Sequence, residues 1–264
     1  MRDCKDAKKI VIKVGTSTLT HANGNLNLKR IEELVRVISD MKNSGKDIVL
    51  VTSGAIGVGV ARLKLGKRPG DVKGKQAAAA VGQSILMGIY DKFFSEHGHV
   101  IGQVLITRDC MTEEIKRKNA MNTFGMLIEY GAVPIVNEND TVAVEEIKFG
   151  DNDTLAAHVA ALIGADLLVL LTDVDGLYDK NPKEVDARLI PEVKEINEEL
   201  KQVAGGSGSA NGTGGMVTKL LAAEIAGEAN INTIIINGSN PLLVYDILDG
   251  KVAGTYFNIK EARK

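Results

Sequence analysis

The chain has 264 residues, 44% of them hydrophobic and 25% charged, with a formal net charge of −2 at pH 7. Its length suits one large α/β domain or two small ones, and its near-balanced charge gives no electrostatic reason to expect a nucleic-acid or membrane partner. Aromatic residues make up 4% of the chain and tryptophan is absent, which argues against a stacking platform for single-stranded nucleic acid.

Strand and helix patterns alternate along the chain. The apolar run KKIVIKVG predicts a first strand over 8–15, and apolar residues at helical spacing predict a helix over 28–45 that ends at Gly45. The later predicted elements are a strand at 47–54, helices at 55–66 and 75–98, a strand at 99–107, a helix at 111–131, a strand at 132–140, a helix at 151–165, a strand at 166–178, a helix at 216–229, a strand at 231–238 and a helix at 241–250.

The strands are apolar on both faces and alternate with helices, which predicts an α/β fold with a mainly parallel sheet covered on both sides. Residues 179–215 carry the least regular pattern, and a division between two lobes is expected near residue 170. Gly, Asp, Asn, Ser and Thr recur just after the strands. Because ligands bind at the carboxyl ends of strands in such sheets, the functional residues are expected there.

The stretch GGSGSANGTGGMVTKL, over 205–220, is too rich in glycine to build a core. Successive glycine N–H groups can form an anion-binding nest, and the helix that follows adds partial positive charge at its N-terminus. We expect Thr213 to be the N-cap and Lys219 to lie in the first turns, near a bound phosphate. A flexible linker before an ordinary helix lysine is the alternative.

Lys13 strengthens the phosphate hypothesis, because it is a charge inside a predicted buried strand and is followed by Gly15. Lysine is almost never fully buried unless it is paired. Two lysines from opposite ends of the chain suit a phosphoryl group in transfer, which needs positioning and positive charge more than covalent help.

Two further stretches combine a strand end with a helix start. VTSGAIGVG, over 51–59, offers backbone N–H groups to an anion or is simply a capped helix start. The region 136–153 contains seven polar residues. Capping the N-terminus of a helix would need far fewer. Acidic and amide side chains in this number can hold a substrate ammonium or orient a lysine. They are Asn137, Glu138, Asn139, Asp140, Asp151, Asn152 and Asp153.

Several common sites are not matched. The sequence has no GxxxxGKS/T, and the glycines of GAIGVGVA are wrongly spaced for a dinucleotide fingerprint. DVDG, over 173–176, lacks the ligands of a calcium loop, and EHGH lacks a third metal ligand. The two cysteines form no CxxC. The charged N-terminus is unlike a signal peptide and no apolar run could span a bilayer, so we expect a cytoplasmic protein without a metal site of its own.

Seven motifs together resemble the glutamate 5-kinases, which belong to the amino acid kinase superfamily. They are KVGTS (13–17), VTSGAIGVG (51–59), AAVGQ (79–83), NENDTVA (137–143), KFGDNDTLAA (148–157), LLTDVDGLY (170–178) and GTGGMVTKLLAAEIA (212–226). The resemblance runs in order from about residue 8 to Phe257. It implies a three-layer α/β/α sandwich around a central, mainly parallel eight-stranded sheet, and ATP-dependent phosphorylation of the γ-carboxylate of L-glutamate, the first step of proline biosynthesis.

The resemblance also implies roles for individual residues. Lys13, Lys219 and Asp153 match the catalytic set, with Asp153 orienting the two lysines. The implied glutamate-binding positions are Ser53, Gly54, Asn137, Asp140 and Asn152. The implied ATP-binding positions are Lys13, Gly15, Thr172, Asp173, Thr213, Gly214, Gly215, Met216, Val217, Thr218 and Lys219.

By the same resemblance, 1–264 is a single amino acid kinase domain, with a substrate lobe over about 1–170 and a nucleotide lobe over about 171–257. The chain stops soon after GTYF (254–257), so we expect the form without a C-terminal PUA domain. The family implies Mg²⁺ held mainly through the ATP phosphates, proline as feedback inhibitor, a homo-oligomer (dimer or tetramer) and coupling to glutamate-5-semialdehyde dehydrogenase.

Two other functions stay open on sequence grounds. Acetylglutamate kinase is the enzymatic alternative, but its substrate has a neutral amide where glutamate has an ammonium, and Asp140 with Glu138 favours the cation. The second alternative is a non-catalytic amino-acid or nucleotide sensor on the same fold, although a sensor would not need both Lys13 and Lys219.

Overall fold

The computed structural model describes residues 4–21, 24–143, 151–206 and 215–259. The chain divides into two compact units. Unit 1 combines Met1–Lys13 with Gly150–Lys264, and unit 2 is Val14–Phe149. The N-terminal segment therefore groups with the C-terminal half of the chain.

Unit 2 contains three strands in the order β3-β4-β2, with parallel pairing of β4 to both neighbours. Strand β4 is buried at five of its six positions, as befits the middle of the three, whereas β3 is partly exposed. The elements are α1 (Thr16–Leu19), α2 (Leu28–Asn43), β2 (Asp47–Val51), α3 (Ala55–Arg62), α4 (Val72–Glu96), β3 (Ile101–Ile106), α5 (Asp109–Thr112), α6 (Glu114–Glu129) and β4 (Val133–Glu138).

Unit 1 contains the other strands in the order β1-β5-β7-β8-β6. Strand β5 is buried at every position and pairs in parallel with β7, while β8 runs antiparallel to β7. The elements are β1 (Lys9–Val14), α7 (Asn152–Ile163), β5 (Leu167–Thr172), β6 (Glu192–Val193), α8 (Glu198–Gly206), α9 (Met216–Glu228), β7 (Asn232–Asn237), α10 (Leu243–Leu248) and β8 (Thr255–Phe257).

The predicted fold class is confirmed: the eight strands make a mainly parallel sheet with flanking helices. The division between the units differs from the expected one near 170. Helix α7 packs on α9, and β5 pairs with β7, so the segment from 150 onward belongs with the later part of the chain.

Several boundaries also differ from the predicted ones. The predicted helix at 111–131 is divided at Glu113, whose extended backbone (φ −89°, ψ 118°) ends α5 before α6 begins. The predicted strand at 166–178 ends at Thr172. Four short or polar elements carry no clear periodic signal and were not predicted: α1, β6, α8 and β8.

Helices α3 and α4 approach each other so closely that two glycines are required. A Cβ at Gly59 would lie 1.8 Å from the carbonyl oxygen of Ala78, and a Cβ at Gly82 would lie 1.8 Å from that of Ala55. Both glycines therefore serve helix packing. The contact places the middle of α4 beside the first residue of α3, just after the turn that follows β2.

Candidate functional site

The most unusual feature of unit 1 is a buried cluster of three charged side chains. Lys13 lies on β1, Asp153 in the first turn of α7 and Lys219 in the first turn of α9. Lys13 Nζ lies 2.6 Å from Asp153 Oδ1, and Lys219 Nζ lies 3.1 Å from Asp153 Oδ2. The two lysines are each 5% exposed and Asp153 is 0% exposed. One carboxylate thus orients two ammonium groups from opposite ends of the chain.

The charge of Asp153 is maintained by its neighbours. Burial alone would raise the pKa of this carboxyl, but the charges of Lys13 and Lys219, and their hydrogen bonds, hold the pKa below its ordinary value. Asp153 is therefore ionised at neutral pH. A buried charged cluster of this kind contributes little net stability compared with apolar packing, which makes a functional role the better explanation for it.

Asp153 is not the residue that caps α7. The N-cap of α7 is Asp151, whose Oδ1 accepts a hydrogen bond from the backbone N–H of Asp153 at 2.9 Å. Asp151 Oδ1 also lies 3.8 Å from Lys13 Nζ. The side chain of Asp153 therefore does not cap the helix and instead forms ion pairs with the two lysines.

Thr218 supports the same carboxylate from α9. Its hydroxyl lies 3.0 Å from Asp153 Oδ2, 3.3 Å from Asp151 Oδ2 and 2.8 Å from the carbonyl oxygen of Gly215. A hydroxyl has one proton to donate, so it serves one of these acceptors at a time. Thr218 was predicted to bind ATP; in the structure its side chain contacts Asp153 and Asp151.

This geometry leads to a prediction for Thr218. Thr218→Val keeps the shape but removes the hydroxyl. For the phosphoryl transfer that the sequence resemblance implies, we expect kcat to fall by about tenfold, in line with the loss of a hydrogen bond to a charged group. The KM for ATP should change little. Thr218→Ser retains the hydroxyl and should recover most of the activity. Equal kcat values for the Val variant and the wild type in steady-state kinetics would show that the contact has no part in catalysis.

A cleft of about 530 Å³ of empty space, part of it open to solvent, adjoins the cluster in unit 1 because Lys219 lines it. Its walls combine apolar side chains, the aromatic ring of Tyr178 and a few polar groups, which is typical of small-molecule sites. The lining residues are Thr172, Asp173, Val174, Gly176, Leu177, Tyr178, Lys180, Pro182, Val203, Gly215, Met216 and Lys219.

Five of the predicted ATP-binding residues therefore share one cleft: Thr172, Asp173, Gly215, Met216 and Lys219. Thr172 ends β5, and its hydroxyl donates to Asp173 Oδ1 at 3.1 Å. Val217 is half exposed and does not line the cleft. Gly15 belongs to unit 2, where it precedes α1.

The glycine-rich loop is described only at its two ends. The predicted positions Thr213 and Gly214 lie outside the described residues. The N-cap of α9 is Gly215, in an extended conformation, and not Thr213 as expected. Gly215 has no side chain that could accept from the first N–H groups of α9, and a helix N-terminus is a favourable position for an anionic ligand.

Unit 2 holds most of the predicted glutamate-binding residues, at the ends of two adjacent parallel strands. Ser53 is buried and Gly54 has φ +94°, a left-handed conformation that favours glycine, as the N-cap of α3. Asn137 lies on β4, and Asp140 follows in the next turn, half-buried. The backbone N–H of Thr52 donates to the carbonyl oxygen of Val136 at 2.8 Å, so the Ser53 turn and Asn137 lie side by side.

Asn152 lies apart from these residues in the chain, as the first residue of α7 in unit 1, where it is half-buried. A residue that was not predicted also stands out in unit 2: Gln83, on α4, accepts a hydrogen bond from Asn137. It lies within the AAVGQ motif, but a single glutamine in an alanine-rich helix gives no signal of its own in the sequence.

No group of three or more His, Cys, Asp or Glu side chains within the described ranges is arranged to hold a metal ion. The described helices also include none that is long and apolar enough to cross a membrane.

Comparisons with known proteins agree on the kind of protein this chain resembles. Residues 8–237 match the model of the amino acid kinase family. The glutamate 5-kinase of Clostridium perfringens is 54% identical over 262 residues, with 97% of each chain covered. The glutamate 5-kinase of Listeria innocua is 53% identical, with 97% of this chain and 95% of the relative covered.

Solved structures of more distant proteins share the fold. Carbamate kinase from Giardia lamblia, bound to AMP-PNP, has a TM-score of 0.70 at 20% identity, covering 97% of this chain and 100% of that one. UMP kinase from Ureaplasma parvum has a TM-score of 0.67 at 18% identity, covering 96% of this chain and 99% of that one.

Proposed function

This chain belongs to the amino acid kinase family and to the glutamate 5-kinases within it, and from this premise we propose that Lys13, Asp153 and Lys219 carry its phosphoryl transfer. The enzyme phosphorylates the γ-carboxylate of L-glutamate with ATP, giving L-glutamyl 5-phosphate and ADP, the first step of proline biosynthesis. The observation that supports the proposal best is the buried carboxylate that holds two lysines, one of which lines a cleft.

The reaction forms one bond to phosphorus and breaks another. A γ-carboxylate oxygen of glutamate attacks the γ-phosphorus of ATP, and the bond from that phosphorus to the β,γ-bridging oxygen breaks, so that ADP leaves with the electron pair. The carboxylate attacks as an anion and needs no general base. Negative charge on the transferring group and on the leaving ADP is what the protein must stabilise.

The two lysines supply that stabilisation. Their ammonium groups are held by Asp153 before the substrates bind, so little reorganisation is needed as the charge moves. We assign Lys219, which lines the cleft, to the transferring phosphoryl group and Lys13 to the phosphates beside it. Asp153 is the positioning carboxylate, and it stays ionised because of the lysines.

ATP occupies the cleft of unit 1 in this proposal. The apolar and aromatic walls suit a nucleoside, and the start of α9 with Lys219 suits the phosphates. Mg²⁺ bound by the ATP phosphates, as the family resemblance implies, would neutralise part of their charge.

Glutamate is bound through its three charged groups. The Ser53–Gly54 turn, at the end of β2, is assigned to the γ-carboxylate. Asp140 is assigned to the ammonium, because a carboxylate is the natural partner of a cation. Asn137, on β4, and Asn152, at the start of α7, are assigned to the remaining polar contacts.

Four further properties rest on the family resemblance alone. They are feedback inhibition by proline, assembly into a homo-dimer or tetramer, coupling to glutamate-5-semialdehyde dehydrogenase, and a cytoplasmic location. The inhibition has a simple check, since proline that competes with glutamate should raise the apparent KM for glutamate and leave kcat unchanged. Full activity at saturating proline and low glutamate would contradict it.

The proposed reaction is tested by trapping its product. Acyl phosphates react with hydroxylamine, so purified protein with ATP, Mg²⁺ and glutamate should form γ-glutamyl hydroxamate in a one-to-one ratio with ADP. Aspartate and carbamate in place of glutamate should give little product. ADP release without hydroxamate would contradict acyl phosphate formation.

A further inference from the structure

Gln83 is a buried glutamine in unit 2 whose side-chain amide is only partly hydrogen-bonded among the described residues. Its side chain is 8% exposed, and its Oε1 accepts from Asn137 Nδ2 at 2.8 Å. No acceptor among the described residues lies within hydrogen-bonding distance of Gln83 Nε2. A buried donor without a partner is costly and uncommon in native proteins, so it calls for an explanation.

The orientation of the Gln83 amide follows from its neighbours. The backbone N–H of Glu138 donates to Asn137 Oδ1 at 2.9 Å, which fixes the oxygen of the Asn137 amide. The Asn137 amide nitrogen must therefore be the atom that meets Gln83, and only the oxygen of Gln83 can accept from it. The NH₂ group of Gln83 is consequently the end of the amide that has no partner among the described residues.

The position of Gln83 places this donor next to the turn at the end of β2. Gly82 packs directly on the carbonyl oxygen of Ala55, which is the first residue of α3 and follows Ser53 and Gly54. Asn137, the hydrogen-bond partner of Gln83, lies on β4, which pairs with β2. Gln83 and the Ser53–Gly54 turn are therefore neighbours within unit 2.

We propose that Gln83 binds a carboxylate of the amino-acid substrate through its Nε2 group and so helps to select an acidic amino acid. This inference rests on the proposed function, because glutamate is the ligand that supplies the carboxylate. An NH₂ group donates only, so it can meet a carboxylate oxygen but not the substrate ammonium. Asn137 then has a second task, which is to hold the Gln83 amide in the orientation that directs Nε2 to the ligand.

The deciding experiment is a pair of substitutions assayed for glutamate and ATP kinetics. Gln83→Glu keeps an oxygen for Asn137 to donate to and replaces only the NH₂ group by a second oxygen. A carboxylate beside the substrate carboxylate is repulsive, so we expect the KM for glutamate to rise by about a hundredfold or more. Gln83→Met removes the amide at similar volume and should raise this KM by about tenfold. The KM for ATP should change little in either variant.

Two further measurements separate a binding role from a structural one. The KM of the Gln83→Glu variant should fall as the pH is lowered, because a protonated Glu side chain regains a donor. Gln103→Glu, which adds the same charge at an exposed position of β3, should behave as the wild type. Circular dichroism establishes that each variant is folded.

The outcomes are distinct. If Gln83 only orients Asn137, Gln83→Glu should keep a near-normal KM while Gln83→Met does not, and the inference is overturned. If Gln83→Glu does not fold, a normal KM for glutamate in Gln83→Met overturns the inference. If the wild-type protein does not phosphorylate glutamate at all, the proposed function is wrong, a result that the unmodified enzyme alone reveals.

Discussion

Replacing Lys219 with alanine is expected to lower kcat by about a hundredfold or more, while the KM for glutamate changes far less. The ammonium group is oriented by Asp153 at 3.1 Å, and Lys219 lines the cleft of unit 1. Its charge matters most as negative charge moves from the γ-phosphoryl group to ADP. An interaction that strengthens in the transition state affects kcat more than substrate binding.

A matched control for Lys219 is Lys201, on the neighbouring helix α8. Lys201 also forms an ion pair, at 3.0 Å to Glu224, but its side chain is far more exposed. Lys201→Ala should leave kcat unchanged, as expected for a surface ion pair. If Lys219→Ala turns over at the wild-type rate in a folded protein, Lys219 has no role in phosphoryl transfer.

The enzyme is expected to prefer glutamate over N-acetylglutamate by about a thousandfold or more in kcat/KM, as for sites built around a polar partner. Acetylation removes the ammonium charge that we assign to Asp140 and adds bulk, so both the ion pair with the substrate and its fit are lost. Initial rates with the two substrates at several concentrations give the ratio.

The same assignment predicts that Asp140→Ala raises the KM for glutamate more than it lowers kcat, because the ammonium lies away from the reacting carboxylate. The variant should also discriminate less between the two substrates. A wild-type enzyme that prefers N-acetylglutamate would contradict both the substrate and the role of Asp140.

The elements that carry the buried charged cluster, and the strand that ends at the cleft, could be predicted from the sequence. Strand β1, helix α7, strand β5 and helix α9 have long apolar runs or clear helical periodicity, and their predicted and observed ranges agree to within a few residues, except at the end of β5. Lys13 itself indicated a functional site, because a charged side chain is unusual inside a buried apolar strand. Lys13 is indeed buried and paired.

The contacts between distant side chains could not be predicted in the same way. Thr218 and Asp151 lie in motifs that the sequence singled out, but which atom each side chain meets depends on how α7 and α9 pack. Gln83 gave no signal because its partner, Asn137, is 54 positions away. Strands β6 and β8 are too short for a period-two pattern, and the grouping of β1 with unit 1 depends on long-range pairing.

The function of Asp153 is tested most directly by the kcat of Asp153→Asn, measured in protein shown to be folded by circular dichroism and to bind ATP. The pKa of Asp153 is held below its ordinary value, so the stabilisation from its ion pairs is complete above about pH 4 and is lost only as the pH falls through the lower, folded-state pKa. Assays near pH 7.5 therefore compare a fully ionised carboxylate with a neutral amide of the same shape.

If Asp153 orients the two lysines for phosphoryl transfer, kcat of Asp153→Asn should fall by about a hundredfold or more, with the Kd for ATP much less affected. Asp153→Glu keeps the charge but displaces it, so its kcat should lie between those of the wild type and Asp153→Asn. It serves as the second variant if Asp153→Asn does not fold. A folded Asp153→Asn enzyme that forms γ-glutamyl hydroxamate at the wild-type rate would contradict the assignment of the cluster to catalysis.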